Sequence, residues 1–135
     1  MEKYLAGEQL SEQEFLFIPL KADSIIYYNS HNNKRVASSL PPIYDRQLGW
    51  ETKITVIDDS VLLLNSGVNG FYRFQINRQT GSIQAGNEKY LPAYHITCLF
   101  TDKNKRLWVG TSRGLLKQEL TSPPVSAFPF THPLP

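Results

Sequence analysis

Four leucines, Leu5, Leu48, Leu91 and Leu134, stand 43 residues apart along a chain of 135. Their neighbours recur with them. Glu2-Lys3-Tyr4-Leu5 returns as Glu88-Lys89-Tyr90-Leu91, and Leu91-Pro92 returns as Leu134-Pro135. After each of the first three leucines comes an apolar run, a polar turn, a second apolar run and a small polar pair: Asn29-Ser30, Asn65-Ser66 and Gly110-Thr111. Asn33, Gly70 and Gly114 then follow, residue types that accept a positive φ. Several features in one order at one period define a structural repeat. A unit of this length cannot bury both of its faces alone and gains stability by leaning on its neighbour.

The runs are too short for helices and alternate with period two. In the second unit Phe71, Arg73 and Gln75 interleave with Tyr72, Phe74 and Ile76, the signature of a strand. The strands expected there are 53–57, 61–65, 71–76 and 82–84, with Asn77-Arg78-Gln79-Thr80-Gly81 as a hairpin turn. The third unit predicts strands at 96–100, 107–110, 115–120 and 125–130. The first predicts 14–19, 24–29 and 34–38, with an ill-defined fourth strand near 42–46. Short strands in fours at this period predict an all-β chain of three four-stranded antiparallel β-propeller blades, about 5–47, 48–90 and 91–133. Propellers need at least four blades. The chain is therefore expected to be a partial propeller, cut from a larger one in preference to being completed by a second copy of itself.

Composition narrows the function. A net charge of +2 leaves no electrostatic footprint for nucleic acid, and Lys103, Lys105 and Arg106 form a solvated turn. The single cysteine, Cys98, excludes an internal disulfide and a cysteine-based metal cluster, and its apolar surroundings predict a buried structural thiol. His31, His95 and His132 have no metal-ligand spacing, so no metal or cofactor is expected. Asp58-Asp59 falls in a tight turn where neighbouring carboxylates diverge, a poor acid/base pair. No apolar stretch approaches the ~20 residues of a membrane helix. No export signal follows Met1; either the protein is cytoplasmic, or a signal was removed and Met1 added.

The stretch from Leu91-Pro92 through Asp102, Leu107-Trp108-Val109-Gly110-Thr111 and Gly114-Leu115 closely resembles the two-component regulator propeller repeat. The turn glycine usual in that family is replaced by Lys105 or Arg106, and Leu63 and Tyr27 stand in the other units where the tryptophan would be. The resemblance implies a non-enzymatic sensor propeller in the extracytoplasmic (periplasmic) part of a hybrid two-component histidine kinase of Bacteroidetes type. Such sensors perceive glycan-derived or other small ligands. In a blade, Trp108 is expected to anchor packing between blades, while Asp102, Thr111 and Gly114 make turns.

Ligand-facing residues are expected just before the first strand of each blade and in the loop between its second and third strands, around one mouth of the channel. They are Tyr94, His95, Ser112 and Arg113 in the third unit, Trp50, Glu51, Val68 and Asn69 in the second, and His31 and Asn32 in the first. Aromatic rings beside amide and guanidinium groups suit an oligosaccharide. The alternatives are a lyase-like enzymatic propeller with His95 or His31 as base, and a generic protein-interaction propeller.

Overall fold

The computed structural model describes residues 3–40, 51–66, 69–118 and 130–131. These residues form β-strands and turns, with no helix among them. The strands are β1 (Tyr4–Gln9), β2 (Glu14–Pro19), β3 (Ser24–Asn29), β4 (Lys34–Ser39), β5 (Lys53–Val56), β6 (Val61–Asn65), β7 (Asn69–Ile76), β8 (Ile83–Thr101), β9 (Leu107–Thr111), β10 (Gly114–Gln118) and β11 (Phe130–Thr131). They build a four-stranded sheet in the order β1-β2-β3-β4 and a seven-stranded sheet in the order β11-β10-β9-β8-β7-β6-β5. Every pairing is antiparallel.

The all-β, antiparallel expectation holds, but the second and third units do not separate into two sheets. The 19 residues of β8 serve both. Its first part pairs with β7, from Ile76↔Ile83 to Asn69↔His95, and from Ile96 onward it pairs with β9. The expected strand at 82–84 is only its beginning. At Leu91-Pro92, where the third unit was expected to begin, the backbone stays extended through one left-handed residue, Leu91 (φ 50°). In the first unit the fourth strand is β1, which the sequence reading passed over because its pattern is weak. It packs Leu5 and Ala6 against the core. The strand expected at 42–46 lies outside the described residues. So does most of the one expected at 125–130, where only Phe130–Thr131 is described, pairing with β10.

Two apolar layers hold the stack. In the first, Leu16, Ile18, Ile25 and Tyr27 of the four-stranded sheet meet Ile54, Leu62, Leu64, Tyr72, Phe74, Ile76 and Ile83. In the second, Leu63 and Phe71 turn the other way and meet Ile96, Leu99, Leu107, Val109 and Leu116. Alternation along β6 explains the arrangement: Leu62 and Leu64 face one layer and Leu63 the other, and all five residues of the strand are buried. Each such leucine contributes about 1.5–3 kcal/mol of transfer free energy. Gly81 (φ 83°) ends the β7–β8 turn beneath Tyr27, where a Cβ would lie 2.7 Å from the ring. Only glycine fits both the backbone and the space.

The outer faces lack such cover among the described residues. On the third unit Phe100 is 44% exposed, and Trp108 is half-buried and stacked on it at 6.2 Å with the planes 4° apart. Trp108 therefore packs within its own sheet, on the face opposite the Leu99–Val109–Leu116 layer, and does not reach the second unit. Cys98 shares this outward face and is exposed, contrary to the buried thiol expected. A bulge between Ile96 and Cys98 sets Thr97 and Cys98 against Gly110, whose Cβ would lie 2.6 Å from the Cys98 Sγ.

The β8–β9 turn is organised by Asp102. Its Oδ1 accepts from the backbone N–H of Asn104 (2.8 Å) and Arg106 (3.1 Å), and its Oδ2 accepts from Trp108 Nε1 (2.8 Å). The indole N–H foremost, then the two backbone donors, hold this carboxyl below the usual carboxylate range. Lys105 takes the left-handed conformation (φ 62°), so it and not Arg106 occupies the position where a glycine is usual. Lys105→Gly is expected to stabilise the chain by about 0.5–1 kcal/mol, the left-handed strain removed less the added freedom of the unfolded glycine. Urea unfolding of the variant against the parent checks this.

Candidate functional site

The antiparallel strands give the stack two ends. One carries the turns β1–β2, β3–β4, β5–β6 and β7–β8. Cross-links there include Ser30 N–H to Gln13 O (2.8 Å) and Lys34 Nζ to Gln79 O (2.9 Å). The other end carries the start of β7 and the middle of β8. It is here that most of the expected ligand-facing residues meet. Asn69 pairs with His95, and Ser112 N–H donates to His95 O at 3.1 Å. The Arg113 guanidinium lies over the Tyr94 ring, 4.3 Å from its centroid, and Nη2 donates to Ala93 O at 3.0 Å. The ring and the carbonyl hold the planar fork in one orientation while the side chain remains exposed. Thr111 shapes the same turn, donating from Oγ1 to Gly114 O (2.7 Å) and accepting from Arg113 N–H (3.1 Å), with Gly114 at φ 119°. Aromatic face, imidazole, amide, hydroxyl and guanidinium thus share one rim, an arrangement able to stack an apolar face and to donate several hydrogen bonds.

His31 and Asn32 do not join them. They sit in the β3–β4 turn at the opposite end, where Asn29 Oδ1 accepts from His31 N–H (2.9 Å) and Asn32 Oδ1 from Lys34 N–H (3.0 Å). The loop that the sequence reading took as lying between the second and third strands lies between the third and fourth, because β1 opens the sheet. The eight-residue β7 separates the two ends by about 25 Å. Glu51 is exposed at the Asn69 end, just before β5. Trp50 and Val68 lie outside the described residues.

The His31 end carries a charged cluster that the sequence did not reveal. Arg78 of the β7–β8 turn forks onto Glu14 of β2, through Nη2 to Oε1 and through Nε to Oε2 (3.2 Å). Tyr27 Oη donates to Glu14 Oε2 (2.6 Å), Ser11 Oγ donates to Oε1 (2.9 Å), and Arg78 Nη1 reaches Asp59 Oδ1 (3.4 Å). The Arg78 fork is the main cause that lowers the Glu14 carboxyl to about 2, against the opposing effect of its burial. Asp58 serves its own turn, accepting from Ser60 and Val61 N–H. The cluster clamps two sheets together. Glu14 and Asp59 share Arg78 as partner, while Asp58 is held by its own turn.

Stacked antiparallel sheets with apolar layers between them, and a polar rim at one end, define a propeller-like all-β protein. Residues 90–113 match the family model described as Two component regulator propeller, and this stretch is such a repeat. Among solved structures the chain is similar to virginiamycin B lyase from Staphylococcus aureus, with a TM-score of 0.55 and 14% identity over 93% of this chain. The likeness is one of fold. The chain spans 39% of the length of that lyase. No curated protein matches the chain.

Proposed function

We propose that this chain is a ligand-sensing segment of a two-component-system propeller, without catalytic activity of its own. The observation that carries the reading is the regulator-propeller repeat at residues 90–113, whose Tyr94, His95 and Arg113 converge on one rim with Asn69. On this reading the three repeats are three blades, with β8 shared between the second and third. Further blades, or a second copy, cover the Phe100–Trp108 face and the opposite face bearing Tyr4, Phe15 and Phe17. The protein works outside the cytoplasm, and the ligand is an oligosaccharide or a similar small molecule that accepts hydrogen bonds from Arg113, whose fork Tyr94 holds in place.

Calorimetric titration with a panel of oligosaccharides tests the reading. Saturable binding is expected, and Arg113→Ala is expected to weaken it about tenfold or more through loss of a charge-assisted hydrogen bond. Arg113→Lys keeps the charge without the planar fork and should fall between. No heat with any oligosaccharide, or binding indifferent to Arg113→Ala, overturns it. The fold shared with a lyase supports a second reading, in which His95 is a base. Turnover of an oligosaccharide that His95→Ala abolishes without loss of affinity would establish that reading instead.

A further inference from the structure

Alternation along β3 sends Ile25 and Tyr27 into the layer against the second unit and Ile26 to the outer face of the four-stranded sheet. Ile26 is nevertheless only 3% exposed, and it floors a groove of about 520 Å³ on that outer face. The volume and the largely apolar lining are those of a small-molecule site. Pro19, Leu20 and Ala37 continue the apolar lining, and Leu20 is 41% exposed, a large hydrophobic side chain left open to solvent. The charged lining is one-sided: Lys3, Lys21 and Arg35 meet there, with Asp23 the one carboxylate among the described residues. Their stems can lie along the apolar wall with the heads at the mouth, and an excess of one sign in a cleft attracts the other. Main-chain bonds fix the wall. Leu20 N–H donates to Lys3 O (3.3 Å), Ala22 N–H to Pro19 O (2.9 Å) and Leu40 N–H to Asp23 O (2.9 Å). The groove lies at the Pro19 end of β2, whereas Phe15 and Phe17 lie towards its Glu14 end, so a blade covering those aromatics and a ligand in the groove use different parts of the face. The four-stranded sheet and the first apolar layer stand between the groove and the rim of Tyr94 and Arg113.

We propose that the groove binds a small monocarboxylate with an apolar body. The carboxylate meets Arg35, whose planar fork matches it, together with Lys3 and Lys21, and the body packs on Pro19, Leu20 and Ala37 above Ile26. An uncharged polyol would leave the cations unanswered and the apolar floor uncovered. This site goes beyond the sensing role assigned to the rim, and its failure leaves the oligosaccharide titration as it stands.

Phenylacetate is the probe, with phenylacetamide as its uncharged counterpart and acetate as the carboxylate without the apolar body. Calorimetry is expected to show saturable binding of phenylacetate, and binding about tenfold weaker or less for each of the other two. Arg35→Glu is expected to weaken phenylacetate about tenfold or more. Ala37→Phe, at an exposed position of the edge strand β4, fills the groove with a residue type that strands favour, and is expected to abolish binding. Proton–nitrogen correlation spectra of the parent locate the site even should a variant fail to fold: phenylacetate is expected to shift the amides of residues 20–24 and 35–37. No heat with phenylacetate, equal affinity for phenylacetamide or acetate, or undiminished binding by folded Ala37→Phe overturns the proposal. Shifts confined to residues 93–96 and 112–114 also overturn it, and would place the carboxylate on the rim instead.

Discussion

Phe74→Ala is expected to lower the unfolding free energy by about 3–5 kcal/mol, the usual cost of truncating a large aromatic side chain in a packed core. Phe74 has no exposed surface and lies in the layer between the four-stranded sheet and β5–β8. Phe71, equally buried three residues earlier, lies in the other layer, against Leu99, Leu107 and Val109. Phe71→Ala should cost a similar amount, because the middle strands are covered on both sides. The pair distinguishes a stack from a single sheet. If the sheets lean on one another, each substitution lowers the urea midpoint of the whole transition. Were one face of β7 open to solvent, one of the two would cost less than about 1 kcal/mol, as surface changes do. That outcome would sink the stacked arrangement.

The second large effect comes from the charged clamp. Glu14→Gln is expected to cost about 2 kcal/mol at pH 7, the scale of hydrogen bonds to a charged partner reduced by solvent at a half-buried site. The sign with pH follows from the carboxyl falling from 4.5 to about 2 in the folded chain. A group whose folded value is depressed stabilises the fold above its unfolded value, and that contribution is lost as pH falls through the folded value. The parent should therefore exceed Glu14→Gln in stability by a constant amount above about pH 5, and the gap should close between pH 4.5 and 2. Urea unfolding at pH 7, 4 and 2.5 measures it. A gap that persists unchanged at pH 2.5 would show that Arg78 does not hold the ionised carboxylate.

Rim and clamp differ in how visible they were. Tyr94, His95, Ser112 and Arg113 could be placed together because short strands and two-residue turns leave little freedom between neighbours in sequence. The Glu14–Arg78 fork joins positions 64 apart and was invisible in the sequence. His31 was misplaced by one strand, because Gly7 and the weak alternation around it hid β1.

Local physics decided what could be read directly. Alternation along 71–76 sets which side chains face opposite ways, Gly81 and Asp102 set turns through φ and through a carboxylate accepting nearby N–H groups, and a 43-residue period demands a neighbour to cover each unit. Tertiary structure decided the rest. Whether Leu91-Pro92 breaks a strand depends on which partners wait on either side. Whether Cys98 and Trp108 are covered depends on a sheet that only the assembled stack can provide. And two histidines expected around one mouth of the channel end at opposite ends of the sheets, because strand count, and not spacing, determines the direction in which a loop points.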